Sequence, residues 1–380
     1  MKVVALTLGS LWTNTFNYSL GQQISDSGFL QQVIQAGIST GSLPGFSHVT
    51  GATTIDNTVI WTCVGPSISP QWIVPSDWSG GNTIEVIGGG GCGGNGLIGV
   101  ATGGGGGAYS RVKNITIIPG ANIDYQIGAG SFAAGQDTWF NGANLATSVV
   151  GAKGGGIGNA VTNANFSTPL AGGIGGDAAS CVGTIKFSGG SGGTAQTDVG
   201  TGRPTASGGG GAGGPKGSGA SGGDDISLTL ASGASGGGGN GGGFAASNVN
   251  STLGNGGNNS DGIGAGISPA GNGASGGGGA GGGVGTFTGC TGGDGTDLGS
   301  GFGSGGGGGG STQNAGAGGL YGGGSGGSGG GASGAPRAGG NGIILITYGL
   351  NLPPTQIIID PNSVPLIGLP FCLEKFCMVY

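Results

Sequence analysis

The side chains that most often carry catalytic or metal-binding chemistry are few and widely separated in this sequence. The chain has one histidine, His48, and no nucleophile accompanies it nearby. None of the 6 cysteines forms a C-x-x-C pair, so they cannot complete a Cys/His zinc set with one histidine. We therefore expect the cysteines to pack as small apolar residues, with a disulfide such as Cys372–Cys377 as the alternative in an oxidising compartment.

Other patterns typical of enzyme sites are also weak. Asp224 and Asp225 could bind calcium, but neighbouring side chains on an extended chain point to opposite sides, which favours a solvated turn. Glycine-rich loops that bind phosphate need a following helix and usually a lysine, and no glycine run here precedes a helical pattern. The sequence therefore predicts a protein that is not an enzyme and has no cofactor and no metal site.

Aromatic residues near the N-terminus suggest one binding chemistry. Trp12, Tyr18 and Trp61, if they formed a half-exposed row, could stack on sugar rings. Aromatic residues in so short a segment usually form its core, and we favour that interpretation over a sugar platform.

Charge excludes one class of partner. Charged residues make up 6% of the chain, the net charge is −6 and the pI is near 4.4. Such a surface cannot neutralise a phosphate backbone, so we expect no nucleic-acid binding. No run of 18 apolar residues occurs, and the sequence therefore predicts no membrane insertion.

The elements that would position any site are dominated by glycine. Of the 108 glycines, 79 lie in residues 151–350. Ordering each residue costs about 1–2 kcal/mol, and glycine has no side chain to bury in return. The stretch could be disordered, collagen-like, or built of side-by-side polyglycine II rods. Runs such as 103–107 and 305–310 exclude the collagen repeat, which has glycine only at every third position.

We favour polyglycine II for two reasons. Disordered segments are usually rich in charge, whereas this one is almost uncharged. It also ends in the apolar run 343–348, which is typical of a buried strand. In polyglycine II the backbones of neighbouring rods contact one another and exchange hydrogen bonds, which compensates for the missing side chains.

The remaining patterns predict an all-β chain in three parts. Residues 1–66 form a small aromatic-rich β module, in which 29–36 is either a helix or a strand. Residues 67–350 form a β-sandwich whose strands run directly into glycine rods, with 343–348 returning to close a sheet. Residues 351–380 form an apolar C-terminal tail that packs on another subunit or a partner, or else covers its own domain.

Segments with more side chains interrupt the glycine body. A rigid scaffold that displays loops often builds a recognition surface, so these inserts are candidate receptor-binding loops. The alternative is that they only reverse the chain direction. The candidate contact residues are the aromatic and cationic ones: Phe166, Phe187, Arg203, Phe244 and Phe287.

Two resemblances follow from ordered motifs. The N-terminal pattern W-x-x-x-F-x-Y-x-L-G from Trp12 to Gly21, followed by D-S-G at 26–28, resembles an aromatic-rich module of phage tail proteins. Its beginning is similar to that of carbohydrate-binding modules of chitinases. Residues 70–349 follow the order W-x-V-P, strand, GGGG, strand, P-G, strand, glycine body and G-x-x-x-I-T-Y, which resembles the glycine-rich domain of phage tail fibre and tail-tip proteins.

The second resemblance implies a function and a location. It implies a non-enzymatic phage tail fibre or tail-tip structural protein in the virion. Its partners would be other phage tail proteins and a host cell-surface receptor or polysaccharide, and a homotrimer is the implied assembly. The alternative is a self-assembling extracellular filament or matrix subunit without a specific receptor.

Overall fold

The structure, a computed structural model, describes most of the chain up to residue 349. The described ranges are 2–7, 15–18, 23–26, 29–40, 44–66, 71–96, 99–130, 132–161, 168–196, 204–226, 232–243, 257–258, 304–310, 314–329 and 337–349. The predicted C-terminal tail, 351–380, therefore lies outside the described residues.

Secondary structure in these ranges is almost entirely β, which confirms the predicted fold class. Two short 3-10 helices span Leu145–Thr147 and Ala178–Ser180. The strands in chain order are β1 (Lys2–Thr7), β2 (Asn17–Tyr18), β3 (Gln23–Asp26), β4 (Phe29–Gln35), β5 (Gly37–Ile38), β6 (Thr53–Asp56), β7 (Val59–Pro66), β8 (Gln71–Ile73), β9 (Asn82–Ile87), β10 (Val100–Ala101), β11 (Tyr109–Lys113), β12 (Asn122–Gln126), β13 (Thr138–Phe140), β14 (Val150–Ala152), β15 (Ala160–Val161), β16 (Ile185–Phe187), β17 (Thr205–Ala206), β18 (Ser232–Gly233) and β19 (Ile343–Tyr348).

The N-terminal module is a four-stranded sheet in the order β3-β4-β7-β6, with β2 and β5 paired beside it. The segment 29–36, which the sequence left open between helix and strand, forms the strand β4 over Phe29–Gln35. One face of the sheet covers a small aromatic core, whose buried members are Tyr18, Ile24, Val33, Phe46, Val59 and Trp61.

The first strand does not belong to this module. β1 pairs antiparallel with β19, from Lys2 opposite Tyr348 to Thr7 opposite Ile343. The predicted boundary of 1–66 is therefore wrong at its beginning, because residues 2–7 are part of the sandwich. Their short apolar run fits a strand of either sheet, and the choice depends on a partner more than 300 residues away in sequence.

The sandwich consists of two packed sheets. One is five-stranded in the order β1-β19-β9-β11-β16, and the other is four-stranded in the order β14-β13-β12-β8. β19 lies between β1 and β9, as predicted for a strand that closes the sheet. The core between the sheets includes Trp72, Trp78, Ile84, Val86, Ile123, Tyr125, Phe140, Val150, Ile344, Ile346 and Tyr348.

Strands of the sandwich continue into extended glycine rods. In the rod after β10, the N–H groups of Thr102, Gly105 and Ala108 donate to the carbonyls of residues 159, 156 and 153 of a neighbouring rod, at 2.8–2.9 Å. The N–H groups of residues 104 and 107 donate instead to a different rod, at residues 325 and 322. Every third residue thus faces the same neighbour, which is the repeat of polyglycine II.

The carbonyls of the same rod follow the same rule. Those of Thr102, Gly105 and Ala108 accept from residues 94, 91 and 88, and those of residues 104 and 107 accept from residues 210 and 213. A rod inside the bundle is therefore bonded on several sides at once. For the glycine segments that the structure describes, this arrangement decides between the three outcomes that the sequence left open, in favour of packed rods.

Successive rods run in opposite directions and define two ends of the bundle. The near end adjoins the sandwich, where β9 passes into the rod at Gly88. The far end carries a four-stranded sheet of very short strands in the order β15-β10-β17-β18. A rod of six to eight residues is about 20 Å long at a rise of ~3.1 Å per residue, so the far end lies well away from the sandwich core.

Candidate functional site

The predicted sugar platform is wrong for the two aromatic residues that the structure describes. Tyr18 is 1% exposed and Trp61 is 0% exposed, and their rings meet edge to face with centroids 4.7 Å apart. The Trp61 indole N–H donates to the Asp56 carboxylate at 3.2 Å. Trp12 lies outside the described residues. The module therefore uses these aromatic rings as its core, which is the interpretation that the sequence favoured.

Phe187 is also not a loop residue. It lies in β16, is half-buried, and stacks on Tyr109 with centroids 6.2 Å apart. Both rings belong to a small apolar cluster where the sandwich meets the bundle. Phe187 is therefore a packing residue at the near end, and its predicted place in a receptor-binding loop is wrong.

The other four candidate contact residues, Phe166, Arg203, Phe244 and Phe287, lie outside the described residues. For two of them the flanking residues are informative. The segment 162–167, which contains Phe166, follows β15, and the segment 197–203, which contains Arg203, precedes β17. Both segments therefore begin or end at the far end of the bundle.

Three further segments that interrupt the glycine rods also have their flanking residues at the far end of the bundle. The segment 227–231 precedes β18. Gly310, which precedes 311–313, and Gly329, which precedes 330–336, are joined there by a hydrogen bond from the Gly329 N–H to the Gly310 carbonyl at 2.9 Å. The alternation of rod directions thus gathers the flanks of these segments at one face.

Asp224 and Asp225 hold this far end together. The Asp225 carboxylate, 0% exposed, accepts from the Ala206 N–H at 3.0 Å, and the Asp224 carboxylate accepts from the Thr194 N–H at 2.6 Å. The predicted solvated turn is therefore wrong for Asp225. Both carboxylates bind backbone N–H groups of neighbouring rods, which fixes the positions from which the adjacent segment 197–203 departs and to which it returns.

A surface groove of about 740 Å³ lies among the described residues. It lies where the second sheet passes into the bundle, between the end of β12, the start of β13, the first 3-10 helix and the residue after β14. Its lining residues are Gln126, Ile127, Ala129, Ala134, Gly135, Gln136, Asp137, Trp139, Asn144, Leu145 and Lys153.

The polar groups of the groove are held in place. Lys153 Nζ forms an ion pair with Asp137 Oδ2 at 3.1 Å, and Asp137 Oδ1 accepts from the Gly154 N–H at 2.9 Å. Gln126 Nε2 donates to the Asp137 carbonyl at 2.9 Å. Asn144, which lines the groove, caps the 3-10 helix through Oδ1, so its N–H₂ group is not used by the cap. Asp137 is thus fixed before any ligand arrives.

Sequence reasoning identified Trp139 only as a strand residue and missed the groove. The groove brings residue 126 close to residues 136 and 153, and a strand pattern does not predict that proximity. The available signal was the concentration of polar side chains around Trp139, in Gln126, Gln136 and Asp137.

Metal and membrane features are absent from the described part of the chain. No group of three or more His, Cys, Asp or Glu side chains there could hold a metal ion. No helix within those ranges is long and apolar enough to cross a bilayer. His48 stacks on Phe29 with ring centroids 4.8 Å apart.

Comparison with known proteins gives no family. No protein family model matches the sequence, and no curated protein matches it.

The three described cysteines are free thiols in buried positions, as the packing interpretation predicts. Burial raises the pKa of Cys181 to about 11, and burial also raises the pKa of Cys92. The neutral thiol of Cys181 therefore stabilises the fold at neutral pH. Because its folded pKa is raised, this contribution is complete below the ordinary thiol pKa near 9 and is lost as the pH rises towards 11.

We predict that these thiols do not react in the native protein. In a variant with Cys290, Cys372 and Cys377 changed to serine, a chromogenic disulfide reagent at pH 8 should release almost no thiolate until the protein is unfolded. At that pH only about one in a thousand Cys181 side chains is ionised, and burial blocks access as well. Rapid native reaction at any of the remaining cysteines would contradict the buried assignment. Unfolding in guanidinium serves as the control, since it should make all three reactive.

Proposed function

We propose that this chain is a non-enzymatic phage tail fibre or tail-tip structural protein that presents loops to a host surface receptor. The observation that supports the proposal is the gathering of interrupted segments at the far end of a bonded, ordered bundle. A scaffold with a defined end, and inserts that depart from that end, is the usual way to build a recognition surface. The order of motifs that resembles tail fibre proteins adds the location.

Each part of the fold has a separate role in this proposal. The sandwich anchors the rods, the glycine bundle keeps the far end at a fixed distance, and the far-end segments 162–167 and 197–203 contact the receptor. Arg203 supplies a cation and Phe166 an apolar ring in these segments. The rods themselves carry almost no side chains, so recognition falls to the inserts.

The proposed partners and assembly come from the resemblance. Other tail proteins hold the chain in the virion, and the receptor is a host surface protein or polysaccharide. A homotrimer would present each far end in several copies, so that weak individual contacts give a high combined affinity. Nucleic acid is not a proposed partner, because the net charge is −6.

The test is binding of the labelled full chain to whole cells from a panel of bacterial strains. Segment 197–203 is replaced by a glycine-serine segment of equal length, and cell binding should fall about ten-fold on a strain that binds the native chain. The matched control replaces seven residues of the segment 244–256 and leaves Phe244, itself a candidate contact residue, unchanged. The flanks of that segment, Gly243 and Gly257, bond to residues 258 and 236 and do not join the far-end sheet.

Two results would contradict the proposal. One is binding that survives replacement of both 162–167 and 197–203. The other is the absence of binding to every strain together with ordered self-association into filaments, which would favour an extracellular matrix subunit.

A further inference from the structure

We propose that the groove beside Trp139 is a second binding site, for a short neutral oligosaccharide, separate from the far-end segments. The groove lies at the junction of sandwich and bundle, whereas the proposed receptor loops lie at the opposite end of the rods. The inference therefore does not depend on the far-end contacts, and each can fail without the other.

Size and composition limit the occupant. A volume of about 740 Å³ is within the usual range for sites of small organic ligands, roughly 300–1,000 Å³. The lining is mixed: it includes apolar residues, among them Ile127, Trp139 and Leu145, and several carboxamide side chains. Such a surface fits a ring that has apolar faces and a polar edge.

Hydrogen-bonding chemistry favours hydroxyl groups. The carboxamide oxygen of Gln126 can accept a hydrogen bond from a ligand, because the bond to the Asp137 carbonyl uses only Nε2. Asn144 retains N–H donors, because its cap uses only Oδ1. Gln136 is exposed at the groove, and its carboxamide can both donate and accept. Vicinal sugar hydroxyls also donate and accept, so each carboxamide can bind two of them.

The charges in the groove favour a neutral ligand. Lys153 is the cation of the lining, and the Asp137 carboxylate lies 3.1 Å from its Nζ. This pairing compensates the positive charge, so a phosphate or a sugar acid would find no unpaired cation in the lining. The pair still offers an N–H donor and a carboxylate acceptor side by side, which is a common way to bind two adjacent hydroxyls.

Trp139 positions the wall and does not provide a stacking platform. Only 5% of its surface is exposed, and its strand β13 pairs with β12 and β14 on either side. A flat aromatic ligand such as a nucleobase would need an exposed ring face, which this residue lacks. The geometry therefore favours a saccharide over a base.

The test is calorimetric titration of the full chain with neutral trisaccharides of glucose, galactose, mannose and N-acetylglucosamine. Sialylated and phosphorylated sugars are titrated for comparison as anionic ligands. At least one neutral trisaccharide should bind. Gln136→Ala should weaken that binding about five-fold, in line with one lost hydrogen bond of about 1 kcal/mol. Ala134→Trp, which fills the groove and leaves its polar groups unchanged, should abolish binding.

Controls separate this site from a general loss of structure. Gln71→Ala changes an exposed glutamine in the same sheet, outside the lining, and should leave the affinity unchanged. Each variant is checked by its unfolding temperature. The proposal is overturned if no neutral trisaccharide binds, if only anionic sugars bind, or if binding is indifferent to both Gln136→Ala and Ala134→Trp. Cell binding through the far end is measured on the same variants and should not change.

Discussion

Gly106→Ala should destabilise the bundle by about 1–3 kcal/mol or more, although it adds a single methyl group. A Cβ at this position would lie 2.1 Å from the carbonyl oxygen of Gly211 and 2.5 Å from its carbonyl carbon. The colliding atoms are backbone, which cannot rotate away as a side chain can. Gly106 also donates to the Gly190 carbonyl at 2.8 Å and accepts from the Gly176 N–H at 2.8 Å, so a shift of its rod would strain those bonds too.

Gly80→Ala is the matched control for this prediction. Nothing lies within 4 Å of a Cβ built there, and the residue is exposed. Because alanine restricts the unfolded chain more than glycine does, this variant should be neutral or stabilised by about 0.4–1 kcal/mol. Both substitutions add the same methyl group, so a loss of stability in Gly106→Ala alone is caused by the surrounding backbone.

The measurement is urea unfolding combined with amide hydrogen exchange of the native protein. Amides of the rods, such as those of Gly105 and Gly106, should be strongly protected in the native chain and lose protection in Gly106→Ala. If these amides exchange at the rate of an unstructured peptide in the native protein, the bundle does not exist as described. An unchanged unfolding midpoint for Gly106→Ala would lead to the same conclusion.

Trp61→Ala should unfold the N-terminal module, with a cost of about 3–5 kcal/mol. The side chain is 0% exposed and contacts the rings of Tyr18 and Phe46, at centroid distances of 4.7 and 5.6 Å. Removing it creates a cavity and also deprives the buried Asp56 carboxylate of its indole donor at 3.2 Å. A module of this size has little other apolar surface to compensate.

Amide exchange in β4 and β7 reports on the module separately from the sandwich. Both strands should lose protection in Trp61→Ala, while β9 and β19 keep theirs. Val49→Ala is the control, because Val49 is 69% exposed and its loss should change stability by less than about 0.5 kcal/mol. Protection that persists in Trp61→Ala would contradict the role of Trp61 as the core of the module.

The far end illustrates how a sequence with few side chains can still specify geometry. Asp224 and Asp225 form part of the small number of charged groups in the glycine body, and the structure uses both as acceptors for backbone N–H groups. The sequence indicated their presence but not this role. Two adjacent aspartates give the same sequence pattern whether their carboxylates face solvent or bind backbone N–H groups of neighbouring rods.

Composition and local pattern determined the fold class, the glycine rods and the closing strand. An all-β chain follows from alternating apolar runs bounded by glycine and proline, and β19 follows from six consecutive apolar or β-forming residues after Gly342. Packed rods follow from the lack of both charge and side chains, because only backbone contacts remain to compensate the entropy of so many glycines.

Only the tertiary structure decided which rods are neighbours, where β1 belongs, which aromatic rings are buried and where the groove lies. A run of glycines offers the same backbone groups in every register. Its hydrogen-bond partners are therefore fixed by the packing of the whole bundle and not by the local sequence. Alternation places Trp61 on one face of a strand but does not state what covers that face. The groove arises because Gln126, Asp137 and Lys153 come together through three separate strands, and such long-range proximity is not encoded in local spacing.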